Sequence, residues 1–206
     1  MPRILITGFG PFPGAPSNPT MAIVRHLVRS RHPRFAGVER LGRFLPTEWD
    51  MLPGFCETIR QCQPDAVLMF GLAGRRRTIT PEARAINQAS VLRVDAEGHR
   101  PSAPQLAHAG PRQLKSTIDP VRMSAAMRRA GLPAKVSQDA GDYLCNALLW
   151  TAIETGVPAI FVHVPRPRRM KRPVGTQVLE RPAPGDLNRA GEAALASVLA
   201  GLTIKR

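Results

Sequence analysis

The sequence predicts an α/β fold: a single-domain, three-layer α/β/α sandwich with a mixed, mostly parallel central sheet. Short apolar runs that look like buried strands alternate with longer segments of helical periodicity, which is typical of this class. With 206 residues, 43% of them hydrophobic, the chain can bury one sizeable core and is short for two. We therefore expect a single domain over 1–206.

Each element follows from a local pattern. The chain opens with a short apolar strand over 4–7, which runs into a turn rich in Gly and Pro, and 18–20 then begins a helix. The other predicted elements are helices over 21–29, 48–61, 120–129, 145–154 and 184–202, and strands over 39–45, 66–70, 79–87, 91–94, 134–136 and 159–164. Most of the remaining sequence between 71 and 110 is predicted to be irregular, and long irregular stretches in compact domains are often functional.

Composition narrows the function class. The three cysteines are an odd number without a CxxC pair, which argues against a disulfide scaffold or a structural zinc site and favours a reducing cytoplasm. No apolar run is long enough for a signal peptide or a membrane span. The net charge of +14 raises the question of nucleic-acid binding. Only 75–77 and 166–172 are dense basic clusters and aromatic residues make up 5%, so a generally basic surface is favoured.

Cys145 is the strongest candidate for a nucleophile. It stands within 142–146, where an apolar helical run begins, and the turn residues of 137–142 leave backbone N–H groups unpaired close to the sulfur. The positive end of the helix should favour the thiolate. The alternative is a small buried hydrophobe, which is how we interpret Cys56 and Cys62 on their predicted helix.

His163 is the candidate general base. It lies in the very apolar strand 159–164, where an unpartnered imidazole would cost about 1–3 kcal/mol, so a partner is expected. A backbone carbonyl is one possible partner, but near a candidate thiol the role of general base is favoured. Glu82, beside an apolar strand pattern, is the candidate for orienting the imidazole, although glutamates usually lie on solvated faces. Thiol and imidazole together predict a cysteine hydrolase.

The candidate residues cluster at predicted strand ends. The loop 9–12 follows the first strand, the Gly71 loop follows the third, the Cys145 helix follows the strand over 134–136, and His163 ends its own strand. Because the carboxyl ends of parallel strands meet at one edge of a sheet, these segments predict a single site.

Six segments, in order along nearly the whole chain, form a recognisable pattern. They are 4–12 with 18–20, 45–47, 71–75, 79–87, 140–146 and 161–165. No single segment is specific, but together they resemble the pyroglutamyl peptidase I (pyrrolidone-carboxylate peptidase) family of cysteine peptidases.

The resemblance implies a cysteine omega-peptidase that removes an N-terminal pyroglutamyl (5-oxoproline) residue from peptides through a thioester. Cys145 would be the nucleophile, His163 the base and then the acid, and Glu82 the group that orients the imidazole. It also implies a homo-oligomer, a dimer or tetramer, with no metal or cofactor. The implied substrate-binding residues are Phe9, Phe12, Asn18, Leu72, Tyr143 and Leu144. Aromatic rings would suit a flat neutral lactam and exclude a charged ammonium, although core packing is an equal interpretation of both phenylalanines.

Three departures from the family pattern favour other hypotheses. Ala83 takes a position where arginine is usual, with Arg84 one place later; Leu92 stands where many members have an arginine, with Arg93 next to it; and 166–172 is strongly basic. A one-residue slip in a strand turns a side chain to the opposite face, so Arg93 does not simply inherit the role. One alternative is therefore an impaired or re-purposed member whose basic loops bind an acidic partner or polyanion. Another is a related cysteine hydrolase that acts on a different small amide.

Overall fold

The computed structural model describes residues 1–168 and 181–204. In chain order its elements are β1 (Arg3–Phe9), α1 (Pro19–Arg29), a short 3₁₀ helix (Pro33–Phe35), β2 (Glu39–Leu45), α2 (Met51–Cys62), β3 (Ala66–Leu72), β4 (Thr80–Pro81), β5 (Arg84–Ile86), β6 (Gln113–Lys115), α3 (Pro120–Arg129), α4 (Leu144–Glu154), β7 (Ala159–Val164) and α5 (Pro184–Ile204).

The central sheet has five strands in the order β2-β1-β3-β7-β4. The first four are parallel, and β4 pairs antiparallel with β7. Strands β3 and β7 are buried along almost their whole length, as expected for continuous apolar runs covered on both faces. The carboxyl ends of β1, β3 and β7 therefore meet at one edge, as the sequence predicted.

Helices cover both faces of this sheet. Apolar side chains of α1, α3 and α5 form one core cluster with β1, β3 and β7, and those of α2 and α4 form a second cluster on the other face. The predicted α/β/α sandwich with a mixed, mostly parallel sheet is confirmed. Among the helices of the described residues, none is long and apolar enough to cross a membrane.

The irregular stretches differ from the sequence prediction. The strand predicted over 79–87 is broken into β4 and β5, which belong to different sheets, because the backbone changes partner after Glu82: the Glu82 N–H donates to Phe161 on β7, whereas the Ala83 N–H donates to Ser137. The strand predicted over 134–136 is also wrong: among the described residues, that segment makes a single isolated bridge, between Ala134 and Ile79, and the next residue, Ser137, makes another with Glu82. Strand β6, which pairs with β5 to form a second sheet, was not predicted.

The strand predicted over 91–94 is wrong as well, because residues 91–92 form a turn and 93–94 are irregular. The Asp95 carboxylate accepts hydrogen bonds from the backbone N–H groups of Trp49, Glu97 and His99, which curl the chain around it. These three bonds outweigh the effect of burial and lower the pKa of Asp95. The predicted helix starts at 21 and 48 also shift, to Pro19 and Met51.

Candidate active site

Strand pairing brings the candidate base next to two other functional segments. In the parallel pair of β3 and β7, Gly71 lies opposite His163. On the other side of β7, Thr80 of β4 is the antiparallel partner of His163. Glu82 follows two residues later, and its backbone N–H donates to the carbonyl of Phe161 at 2.8 Å.

His163 and Glu82 are joined by a hydrogen bond. Nδ1 of His163 lies 2.8 Å from Oε1 of Glu82, and both residues are buried, with 5% and 0% of their surface exposed. The Phe161 ring lies against the imidazole, with ring centroids 4.8 Å apart. The Glu82 backbone is also fixed, because its carbonyl accepts a hydrogen bond from the Ser116 hydroxyl. The imidazole is therefore held in one orientation, with Nε2 as its remaining nitrogen.

Cys145 is the second residue of α4 and is half-buried. The side chain of the N-cap residue, Tyr143, does not cap the helix, so within the described part of the chain the first N–H groups of α4 are left for another acceptor. The sulfur approaches Gly71: a Cβ placed on that glycine would lie 3.0 Å from Sγ. Since Gly71 is the register partner of His163, the structure brings Cys145, His163 and Glu82 to one place. Within the described residues, Sγ makes no hydrogen bond to the imidazole.

The site favours neutral forms of thiol and imidazole. Burial, reinforced by the negative charge of Glu82, raises the pKa of Cys145 to about 12, although Arg76 and the Cys145 backbone N–H act in the opposite direction. Burial lowers the pKa of His163, although its hydrogen bond to Glu82 opposes this. The start of the helix does favour the thiolate, since the Cys145 backbone N–H lowers the pKa, but desolvation outweighs this effect.

Sequence reasoning did not single out Arg76, which the structure places in contact with Glu82. Its Nη1 donates to Oε1 of Glu82 at 2.5 Å and to the Thr80 hydroxyl, and its Nη2 donates to the backbone carbonyl of Asp139 at 2.5 Å. The triplet 75–77 was interpreted only as a basic cluster. No local pattern distinguishes the middle arginine, because its partners lie on other segments.

The loop after β1 is held by side chains of the α1 start. The Thr20 hydroxyl donates to the Phe9 carbonyl and accepts from the Phe9 N–H, both at 3.1 Å. Asn18 caps α1 by accepting from the Thr20 N–H, and its Nδ2 donates to the carbonyl of Gly10. Phe9 is only 3% exposed and belongs to the core, whereas Phe12 is partly exposed. The structure thus gives Asn18 a clear structural role.

The other predicted substrate-binding residues border Cys145 or the end of β3. The Tyr143 hydroxyl donates to the Val94 carbonyl at 3.0 Å, and its ring meets Trp49 edge-on. Leu144 is buried, and Leu72, partly buried, is the last residue of β3.

The structure shows what surrounds the residues that depart from the family pattern. Arg84, on β5, donates to the Gln138 carbonyl and to the Gln113 side chain. Leu92 is 88% exposed. Arg93 lies outside any strand, so the strand-register argument does not apply to it, and its guanidinium is 3.5 Å from the Asp142 carboxylate.

Of the basic segment 166–172, residues 169–172 lie outside the described residues. Arg166 donates to the carbonyl of Gly14, in the loop after β1, at 2.6 Å. The backbone N–H of Arg168 donates to the Pro182 carbonyl at 3.0 Å.

No metal site accompanies these residues in the part of the chain that the structure describes. There, no three His, Cys, Asp or Glu side chains are grouped closely enough to hold an ion. Cys56 and Cys62 are free thiols on α2.

Comparisons with known proteins agree with this geometry. The sequence model of the family described as pyroglutamyl peptidase matches residues 2–170. A pyrrolidone-carboxylate peptidase of Oceanobacillus iheyensis is 33% identical over 82% of this chain and 87% of its own length. Another from Streptococcus suis is 36% identical over 79% of this chain and 77% of its own.

Solved structures give the same result. The pyrrolidone carboxyl peptidase from Thermococcus litoralis superposes with a TM-score of 0.87 at 27% identity, covering 100% of this chain and 97% of that one. The pyroglutamyl peptidase I of Bacillus amyloliquefaciens gives 0.85 at 25% identity, with 98% of both chains covered. With most of its length matched by the family model and by relatives above 30% identity, this chain belongs to the pyroglutamyl peptidase family.

Proposed function

We propose that this protein is a cysteine omega-peptidase that hydrolyses the amide bond after an N-terminal pyroglutamyl residue of peptides, through a thioester at Cys145. The observation that carries the proposal is the buried 2.8 Å hydrogen bond between His163 and Glu82, set beside a sulfur at the start of a helix. Family membership supplies the substrate class, since the matched relatives are named pyrrolidone-carboxylate peptidases.

Acylation begins with proton transfer. Because Nδ1 of His163 is engaged by Glu82, the neutral imidazole carries its proton there and presents Nε2 as the base. The Cys145 sulfur attacks the pyroglutamyl carbonyl as its proton moves to Nε2. The tetrahedral oxyanion is stabilised by the N–H groups at the start of α4. His163 then protonates the leaving amine, and a water molecule activated by the same imidazole hydrolyses the thioester.

The pKa values favour a concerted first step. A thiol whose pKa is raised to about 12 holds little thiolate at neutral pH. A histidine whose pKa is lowered is ready to accept a proton over the same range. The ion pair therefore forms as the substrate carbonyl is attacked, and a free thiolate does not accumulate beforehand.

The lactam pocket is proposed to lie between the loop after β1 and the start of α4. Phe12, partly exposed, would face the lactam ring, with Phe9 beneath it. Leu72, Tyr143 and Leu144 would complete the pocket around the sulfur, and Asn18 would act through the loop that it anchors. A mostly apolar lining excludes an N-terminal ammonium, whose burial is costly, and accepts a neutral lactam.

We further propose that 1–206 acts as one domain and as a homo-oligomer, a dimer or tetramer, in the cytoplasm. Support for the single domain comes from the two core clusters, which share one sheet. The three free cysteines are consistent with a reducing compartment. Light scattering coupled to gel filtration would measure the oligomeric state.

The test is release of a fluorescent amine from a pyroglutamyl amide. We expect turnover by the wild-type protein, loss of at least about 1,000-fold in Cys145→Ser, and unchanged turnover in Cys56→Ser, which alters a free thiol on α2. The matching prolyl amide, which carries an ammonium in place of the lactam, should not be cleaved. Absence of turnover by folded wild-type protein, or equal activity of the Cys145 variant, would refute the proposal.

A further inference from the structure

We propose that Arg76 is a positioning residue for this reaction: its guanidinium holds the Glu82 carboxylate in place and ties it to the segment that leads to Cys145. The inference rests on the proposed function for its kinetic readout. A second readout, the reactivity of the thiol, does not depend on it.

The geometry joins three separate segments through one side chain. Nη1 of Arg76 donates to Oε1 of Glu82 and to the hydroxyl of Thr80, the register partner of His163. Nη2 donates to the backbone carbonyl of Asp139, six residues before Cys145. The planar guanidinium can direct several donors at once, which a lysine ammonium on a flexible stem cannot reproduce.

Glu82 depends on this partner because it is completely buried. Its Oε1 accepts from both Arg76 and His163, whereas its Oε2 has no hydrogen-bond partner among the described residues. A buried carboxylate without a nearby cation takes up a proton instead of staying charged. His163 is not that cation while it is neutral, as a general base must be. Arg76, whose side chain is 28% exposed, is therefore the cation paired with this buried carboxylate.

The charged groups around Cys145 and His163 shift the pKa values of these two residues in opposite directions. Glu82 raises the pKa of both Cys145 and His163, and Asp139 also raises that of His163. Arg76 lowers both pKa values. Without Arg76, the Glu82–His163 pair would bind a proton up to higher pH, whichever member holds it. A protonated pair cannot accept the thiol proton, so activity would begin at higher pH.

The neighbouring arginines offer a matched control. Arg75 and Arg77 have exposed side chains, and within the described residues neither makes a hydrogen bond or ion pair. Arg77→Gln therefore removes the same charge from the same loop without touching the network. A difference between Arg76→Gln and Arg77→Gln separates the network from the general effect of a basic loop.

The experiment measures kcat/KM against pH for wild type, Arg76→Gln, Arg76→Lys and Arg77→Gln, with thermal unfolding of each. We expect Arg76→Gln to lower kcat/KM at pH 7 by about 10- to 100-fold and to move the acid limb up by about one pH unit. Arg76→Lys keeps the charge, so its acid limb should stay close to that of the wild type while kcat remains reduced. Arg77→Gln should match the wild type.

The second measurement is the pH dependence of Cys145 alkylation by iodoacetamide, followed by peptide mass spectrometry so that Cys56 and Cys62 are counted separately. Arg76→Gln should alkylate more slowly than wild type at each pH, because a cation near the sulfur is lost. If the wild type cleaves no pyroglutamyl amide but Arg76→Gln still alkylates more slowly than the wild type, the proposed function fails while the effect of Arg76 on the site stands. Equal loss of activity at every pH in Arg76→Gln, an acid limb in Arg76→Lys shifted as in Arg76→Gln, or unchanged alkylation would overturn the positioning role.

Discussion

Replacing Gly71 with alanine tests whether the sulfur and the imidazole are held by close packing against β3. A Cβ at this position would lie 2.5 Å and 2.7 Å from two carbons of the Phe161 ring and 3.0 Å from Sγ of Cys145. Carbon atoms in contact normally lie about 3.5–4.0 Å apart, so the ring would have to move by about 1 Å. Phe161 is fully buried and its ring lies against the imidazole of His163, so this movement would reach the site.

The expected cost follows from those distances. Overpacking a buried position by one methyl group should destabilise the protein by about 1–3 kcal/mol. A displacement of about 1 Å at the reacting groups should lower kcat/KM by about 100-fold. The loss should be mainly in kcat, because the methyl group pushes on the nucleophile and the base.

The assay combines hydrolysis of a fluorogenic pyroglutamyl amide with urea unfolding. Gly54→Ala is the matched control: Gly54 lies within α2 with no atom within 4 Å of its added Cβ, so the same change should stabilise the helix by up to about 1 kcal/mol and leave activity alone. A Gly71→Ala protein with stability and kcat/KM close to those of the wild type would refute the packing argument.

Three further outcomes are expected. First, since burial lowers the pKa of His163, the acid limb of kcat/KM should lie below the ordinary histidine value of 6.5. Alkylation of Cys145, whose pKa is raised to about 12, should still accelerate with pH at pH 10. An alkylation rate that is independent of pH from 5 to 10 would show a resting ion pair instead. Second, Glu82→Gln should lower hydrolysis by at least about 100-fold while making Cys145 alkylate faster, because the negative charge that raises the pKa of the thiol is gone; parallel losses in both assays would contradict this. Third, Asn18→Ala should lower the free energy of unfolding by about 1 kcal/mol through loss of the α1 cap and should raise KM by loosening the loop at Gly10. Urea unfolding and steady-state kinetics measure these two effects, and an unchanged unfolding midpoint would argue against the cap.

Much of the fold was predictable because its strongest signals are local. Buried strands such as β3 and β7 are continuous apolar runs, and α3 begins where Asp119 precedes Pro120, a cap followed by a helix-compatible proline. The change of backbone partner after Glu82 was not predictable in the same way. There the backbone alternates partners: Glu82 N–H donates to Phe161 on β7, whereas Ala83 N–H donates to Ser137. A periodicity read over a few residues does not show which neighbour receives each bond.

The residues of the candidate site also differ in whether local sequence features predict them. Cys145 and His163 stand out because a helix start and a polar residue in an apolar strand are local features. Glu82 needed the family resemblance, since its burial depends on β7 packing against it. Arg76 could not be found at all, because its nearest neighbours in sequence are also arginines and its hydrogen bond to Asp139 spans 63 residues.

Because Cys145 and His163 are neutral at rest, the effects of Arg76 and Glu82 have to be considered together. Burial alone would keep the thiol protonated and the imidazole neutral, which is a stable arrangement but an unreactive one. Glu82 stabilises the imidazolium that forms during attack, but an unbalanced Glu82 charge would also hold a proton on the pair before the substrate arrives. Arg76 lowers the pKa of His163 and so weakens that second effect, while the hydrogen bond between Nδ1 of His163 and Oε1 of Glu82 still holds the imidazole in one orientation. A buried carboxylate can then orient the base for proton transfer without trapping the proton before the substrate arrives.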